Sequence, residues 1–329
     1  MNRTVLVLGL LSGCFSTPPN TPTENFELLW ADFDAHYGLF PVKENIDWDT
    51  QYDTYRPQVS DSTTPEELAD IFKAMLSPLN DSHVYLGTWM DESFWSSYEA
   101  GREPDDFDLD VIRDHYLTDL DTIQDEITWG HLAADVGYLR MHNFRFSGAQ
   151  DKVAEALDTL NDTSTLVIDI RNNPGGNDNA SADIAGCFAD EVTPFMEVRI
   201  RNGPEHTDFA DPIFWDVVPS ESCRYDGEVL LLTNIFVFSS AEVFTMAMVG
   251  LPGVTHIGEH TAGSFSDKVK RELPNGWVYG LSIGDWRDAD GVNHEGFGIV
   301  PTVERVNPVA AVEEGRDEVL DLALELASE

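Results

Sequence analysis

Two short apolar runs constrain this chain more than any other feature. LVIDI at 166–170 and VLLL at 229–232 are too short for helices and read as strands buried in a core. The first opens through Arg171-Asn-Asn-Pro-Gly-Gly176 into a helical stretch. The second passes through Thr233-Asn234 to Ser239-Ser240-Ala241-Glu242 and an apolar helix. Further strands are expected at 136–141, 197–200, 254–257, 277–283 and 300–306. Helices are expected at 148–160, 179–189, 239–249 and 308–327, the last capped by Asn307 with Pro308 in its first turn. Strands interleaved with helices imply an α/β domain around a mixed sheet over 130–329.

The residues ahead of it differ in pattern. Phe26, Leu29, Trp30, Phe33 and Tyr37 recur on one face of a helix over 24–36. Thr64-Pro65-Glu66-Glu67 is a capping box with proline at the first helical position, followed by Leu68, Ile71, Phe72, Met75 and Leu76. With a strand at 83–89, residues 24–90 read as a small, mainly helical N-terminal domain. Residues 91–129 hold 13 acids and two bases and read as a partly helical connector, too short for a domain.

The N-terminus reads as an address. Arg3 precedes an apolar run at 5–11, which is far below the roughly 20 residues that a membrane span needs but suits a secretory leader. Leu11-Ser12-Gly13-Cys14 resembles the lipobox of bacterial lipoproteins. Residues 1–13 are therefore expected to be a leader, Cys14 a lipidated anchor and 14–23 a Pro/Thr-rich tether. The expected location is periplasmic, or on the outer membrane or cell surface. Cys187 and Cys223 form an even pair that an exported chain can bridge; two buried thiols are the other reading.

Charge narrows the function classes. Sixty acids against 19 Lys and Arg give a formal net charge of −41, which repels phosphate backbones and excludes nucleic acid as an expected partner. It also biases binding toward basic or neutral partners at low salt. No metal or other cofactor is expected. Asp106-x-Asp108-x-Asp110 has the start of a calcium loop, but Val111 and Leu117 stand where the turn glycine and closing glutamate belong.

A serine at a strand-to-helix junction can be a nucleophile beside the positive helix end, or simply the helix cap. The Gly175-Gly176 turn can aim N–H groups at an anion, or merely join strand to helix. Taken with LNDSHVYL at 79–86, VGYLRMHNF at 136–144, GEHTAGSFSD at 258–267 and HEGFGIVP at 294–301, the chain resembles the tail-specific (C-terminal processing) protease family, in particular its tricorn-core branch. The resemblance implies a serine endopeptidase acting on polypeptides. Two features favour that branch over Ser–Lys members: Ser264 stands where their lysine falls, with Lys268 and Lys270 out of register, and 91–129 is too short for a PDZ domain.

By the same resemblance Ser239 is the nucleophile and His83 the general base, with Ser82 orienting His83 and Glu295 hydrogen-bonded to Ser82. The N–H groups of Ser240 and of Gly175 or Gly176 would form the oxyanion hole. His256, His260 and His294 are alternative bases, Asp81 is expected to be a turn or cap residue, and Phe244, Met248 and Leu251 core. The competing function is a non-catalytic binder of hydrophobic ligands or peptides on the same scaffold, as in retinoid-binding relatives. The oligomeric state is left open.

Overall fold

The computed structural model describes residues 19–88, 91–99, 101, 106–123, 126–145 and 147–328; the leader, Cys14 and the first part of the tether lie outside them. The chain opens with α1 (Pro22–His36), α2 (Trp48–Tyr55) and α3 (Pro65–Leu76). The capping box forms at α3: Thr64 N donates to Glu67 Oε2 (2.9 Å) and Glu67 N donates to Thr64 Oγ1 (3.3 Å). Next come β1 (Tyr85–Thr88), β2 (Asp91–Ser96), α4 (Leu109–His115), β3 (Asp121–Ile123), β4 (Ile127–Ala133) and β5 (Val136–Met141). They are followed by α5 (Ala149–Thr159), β6 (Thr165–Asp169), α6 (Asp178–Ala185), β7 (Thr193–Ile200), β8 (Ile213–Val217), β9 (Glu228–Thr233) and α7 (Ser240–Val249). The chain closes with β10 (Val254–Gly258), β11 (Lys268–Glu272), β12 (Trp277–Ser282), β13 (Gly284–Asp288), β14 (Val303–Glu304), α8 (Val309–Glu313) and α9 (Glu318–Leu326).

A seven-stranded mixed sheet in the order β14-β10-β9-β6-β5-β4-β3 forms the centre, parallel from β14 to β5 and antiparallel at β4 and β3. The two apolar runs lie side by side in it as β6 and β9. Their continuous hydrophobicity has a direct cause, because side chains alternate between faces and both faces are covered. Leu166, Ile168, Val229 and Leu231 pack with Val153, Ile184 and Phe244, whereas Val167, Leu230 and Leu232 pack with Ile112, Val319 and Leu320.

The helical region is not closed on itself. Phe26, Leu29, Phe33, Phe72 and Met75 pack against Leu273, Tyr279 and Leu281, returned from the C-terminal half in the sheet β11-β12-β1-β2. The acidic connector is also more structured than its composition suggests. It supplies β2, α4, β3 and the start of β4, where Ile127, Thr128 and Trp129 are buried.

The expected helix over 308–327 is two helices, α8 and α9. Gly315 takes φ +78° between them, and Asn307 Oδ1 accepts from Glu318 N (2.9 Å) at the second helix, so Asn307 serves α9, with Asp317 as its N-cap. A disulfide joins Cys187 to Cys223 with Cα atoms 5.0 Å apart, tying the end of α6 to the approach to β9.

Candidate active site

Because β5, β6 and β9 are parallel neighbours, their C-terminal ends bring 142–145, 170–176 and 234–239 to one edge, where open parallel sheets hold ligands. Asn173, fully buried, ties the three loops together. Its Nδ2 donates to Met141 O (3.0 Å), its Oδ1 accepts from Gly175 N (2.9 Å) and its carbonyl accepts from Phe238 N (3.0 Å). Gly175 has φ +82°, and a Cβ there would lie 2.6 Å from Phe238 O and 2.8 Å from Ser240 N, so only glycine fits against this turn.

Ser239 sits at the apex with φ +56° and ψ −125°. A non-glycine residue held there stores about 1–3 kcal/mol of backbone strain, a feature concentrated at functional sites. Its N–H donates to Glu242 Oε2 (3.1 Å) and Glu242 N donates to its carbonyl (2.7 Å), closing a capping box at the helix start. Buried Glu242 also accepts from Thr261 Oγ1 (2.6 Å), Gly263 N (2.7 Å) and Ser264 N (2.8 Å). Burial pushes its carboxyl up to about 7, with these donors opposing the rise.

A cavity of about 490 Å³ opens over this turn, lined by Gly176, Ser239 and Ser240 together with Ser82 and His83. The two glycines have different duties. Gly175 N is taken by Asn173, whereas among the described residues no hydrogen bond engages the N–H of Gly176 or Ser240.

His83 is 4% exposed, and its ring Nδ1 is buried without a hydrogen-bond partner. Burial, opposed by Asp81 and helped by Lys268, lowers it to about 4, so the ring is neutral at pH 7. Asp81 is the turn residue expected: its Oδ1 accepts from His83 N (2.8 Å). It is more than that, since Oδ2 accepts from Tyr37 OH (3.0 Å) at the end of α1 and from Ser282 Oγ (2.8 Å) in β12.

Glu295 lies behind this group, 7% exposed, accepting from Phe265 N (2.9 Å) and lying 3.1 Å from Lys43 Nζ. Burial and the charge of Asp81 hold its carboxyl well above the ordinary range, against the pull of Lys43. The expected hydrogen bond from Ser82 to Glu295 is not made among the described residues, and neither is one from Ser82 to the His83 ring. Glu295 is engaged instead by Lys43 and Phe265 N, and Asp81 holds the main chain of His83.

The alternative histidines lie elsewhere. His256 is buried on β10 against Thr233 Oγ1 (2.6 Å), His294 pairs with Asp288 (2.7 Å), and His260 meets Thr261 O (2.8 Å). Phe244, Met248 and Leu251 are core. Ser264 is fully buried, with its N–H on Glu242. Lys268, though out of the family's register, lines the cavity with Arg145. Sequence reasoning missed Lys43, Tyr37 and Arg145. Arg145 alone had a signal, standing just past the end of a predicted strand.

Comparisons with known proteins agree with this architecture. A model of peptidase family S41 matches residues 135–305, and a model of the tricorn protease C1 domain matches residues 18–77. The carboxy-terminal processing protease CtpA of Bacillus subtilis is 26% identical over 192 residues, 57% of this chain and 39% of that protein. This chain thus spans well under half the length of that relative. A candidate peptidase from Parabacteroides merdae superposes with a TM-score of 0.86 at 28% identity, covering 94% of this chain and 97% of that one. Mature CPAF shares the fold, with a TM-score of 0.70 at 11% identity over 90% of this chain and 94% of that chain. A sheet edge carrying a strained serine that shares a cavity with a buried histidine, and a family match across the strands that build it, lead to one conclusion: this chain belongs to peptidase family S41.

Proposed function

We propose that the chain is a serine endopeptidase in which Ser239 is the nucleophile and His83 the general base. The observation that carries this is the strained Ser239 lining one cavity with a buried neutral histidine. Ser239 Oγ attacks the peptide carbonyl carbon as its proton passes to His83. The resulting oxyanion is held by the N–H groups of Gly176 and Ser240, each worth about 3 kcal/mol. The C–N bond then breaks as His83 gives that proton to the leaving amine. Water, deprotonated by His83, releases the acyl group.

Ser82 flanks the base at the cavity wall, and Glu295, held by Lys43, lies buried behind it. Polypeptides are the substrates. We also propose that Cys14 is lipidated after removal of 1–13 and tethers the domain on the far side of the cytoplasmic membrane. Among the described residues no helix is long and apolar enough to cross a membrane.

A fluorophosphonate probe should label the wild-type chain and not Ser239→Ala, and a peptide library should be cleaved only by the former. Equal labelling of both would remove Ser239 from the chemistry. A protein that binds peptides but neither reacts nor cleaves would be the scaffold's non-catalytic form. Cys14→Ser should release the chain from membranes; retention would overturn the anchor.

A further inference from the structure

A base that takes up a proton inside a protein becomes a buried cation, and a nearby negative charge must answer it. Among the described residues neither Ser82 nor Glu295 bonds to the His83 ring. Glu295 is engaged by Lys43 and Phe265 N, and its carboxyl is held well above the ordinary range, which makes it a poor counter-charge.

Asp81 is a different kind of acid. It is 1% exposed and is gripped from several parts of the chain. Its Oδ1 accepts from His83 N (2.8 Å), and its Oδ2 accepts from Tyr37 OH (3.0 Å), just past α1, and from Ser282 Oγ (2.8 Å), at the end of β12. Its main chain is pinned as well. Asp81 N donates to Ser97 Oγ (3.0 Å), just past β2, and the carbonyl accepts from Ser97 Oγ (2.8 Å) and from Val84 N (3.0 Å). Three donors on two side-chain oxygens suit an acceptor-only carboxylate.

The charge of Asp81 also reaches the groups around it. It opposes burial at His83 and at Lys268, and it helps to raise Tyr37 and Glu295. Lys268 acts on His83 with the opposite sign, and Lys43 faces Glu295. Tyr98, in the cavity wall, answers to Glu242 and Glu295. Of the two buried acids behind the base, Asp81 is therefore the one whose charge acts on the ring, and it helps to keep Glu295 from ionising.

We propose that Asp81 is the positioning residue of the base: it fixes the main chain at His83 and supplies the negative charge against which the imidazolium forms when Ser239 gives up its proton. This rests on the peptidase function proposed above and names the acid that serves it. Asp81 does not line the cavity, so it acts through His83 and not on the substrate. Because Tyr37 and Ser282 hold the same carboxylate, the docking of the helical region and of β12 sets where the base stands.

Kinetics of peptide cleavage by the full chain test this. Asp81→Asn keeps the shape and the acceptor for His83 N but removes the charge, so kcat should fall about 10²-fold while KM changes less than about threefold. The acid limb of kcat/KM, set by a His83 near 4, should move lower in this variant, because the acid that opposes burial is gone. A merely structural Asp81 would lower the melting temperature and leave that limb in place. Tyr37→Phe combined with Ser282→Ala keeps the charge but frees the carboxylate, so kcat should fall about tenfold; this pair carries the test if Asp81→Asn does not fold. A folded Asp81→Asn with wild-type kcat and acid limb, or a folded double variant with wild-type kcat, would overturn the role. His83→Ala tells the two readings apart. Cleavage by His83→Ala at the wild-type rate would sink the base itself and the role of Asp81 with it, whereas loss in His83→Ala and none in Asp81→Asn would sink Asp81 alone.

Discussion

The two halves of the candidate site are built in different ways. The nucleophile half is local to one sheet edge: Asn173, Gly175, Ser239 and Glu242 come from two adjacent strand-to-helix turns and are locked by short hydrogen bonds. The base half is assembled from four distant segments, with Tyr37 and Lys43 from the helical region, Asp81 and His83 before β1, Ser282 from β12 and Glu295 near the C-terminus. In the first half strain is stored in the backbone; in the second it is buried charge that is held. The nucleophile should therefore tolerate almost no change in shape, while the base should respond to changes in charge and to how firmly the helices dock.

The largest test removes the chemistry. Ser239→Ala should lower peptide cleavage by about 10⁴-fold or more without moving the melting temperature downward, since it relieves no packing and leaves the main-chain bonds intact. A loss under tenfold in single-turnover cleavage would separate Ser239 from the reaction. Gly175→Ala comes next. Its Cβ would meet Phe238 O and Ser240 N at a positive φ, so we expect kcat to fall by about 10²-fold and stability by about 2 kcal/mol. Wild-type kcat in this variant would show that the turn is not shape-limited.

Lys43→Met probes the other half. It strips a buried carboxylate of its cation, a loss of about 3 kcal/mol if Glu295 stays ionised. The folded-state value of Glu295 is raised, so the stability tied to it is present at low pH and lost as pH rises; removing Lys43 moves it further up. The deficit in chemical denaturation should thus be larger at pH 8 than at pH 5, and Lys43→Arg should recover most of it. A deficit independent of pH would mean that Lys43 matters only by packing.

His83 and His256, both lowered to about 4, carry the opposite sign. Their contribution to stability is complete above about pH 6.5 and is lost as pH falls toward 4. The acid limb of kcat/KM should accordingly lie near pH 4; a limb near 6.5 would imply a solvated base. The smallest effect is expected for Tyr37→Phe, about 1 kcal/mol, because Asp81 keeps Ser282 and the His83 N–H.

Much of the architecture was legible because it is written in local chemistry. The Thr64–Glu67 box, the buried runs of β6 and β9, and the turns at Gly175 and Ser239 each announce themselves within about ten residues of sequence. Composition misled where tertiary contacts overrode it. The acid-rich 91–129 segment hides the start of β4, whose apolar positions become meaningful only once β5 lies beside it. Residues 308–327 look like one helix until Gly315 breaks it and Asn307 turns to Glu318. Lys43 had no signal at all, because its partner is Glu295 and nothing near it in the chain hints at a buried carboxylate.

By itself the sequence determined what short-range forces control: strand and helix periodicity, caps, glycine turns, the S41 pattern and an overall charge of −41. Only the tertiary structure decided what long-range proximity controls. It put Lys43 on Glu295 and Tyr37 on Asp81, brought Arg145 and Lys268 to the cavity, and took Ser82 out of the expected bond with Glu295. The physical reason is that a local pattern specifies a backbone, whereas charge pairing and burial depend on which distant surfaces the fold closes together.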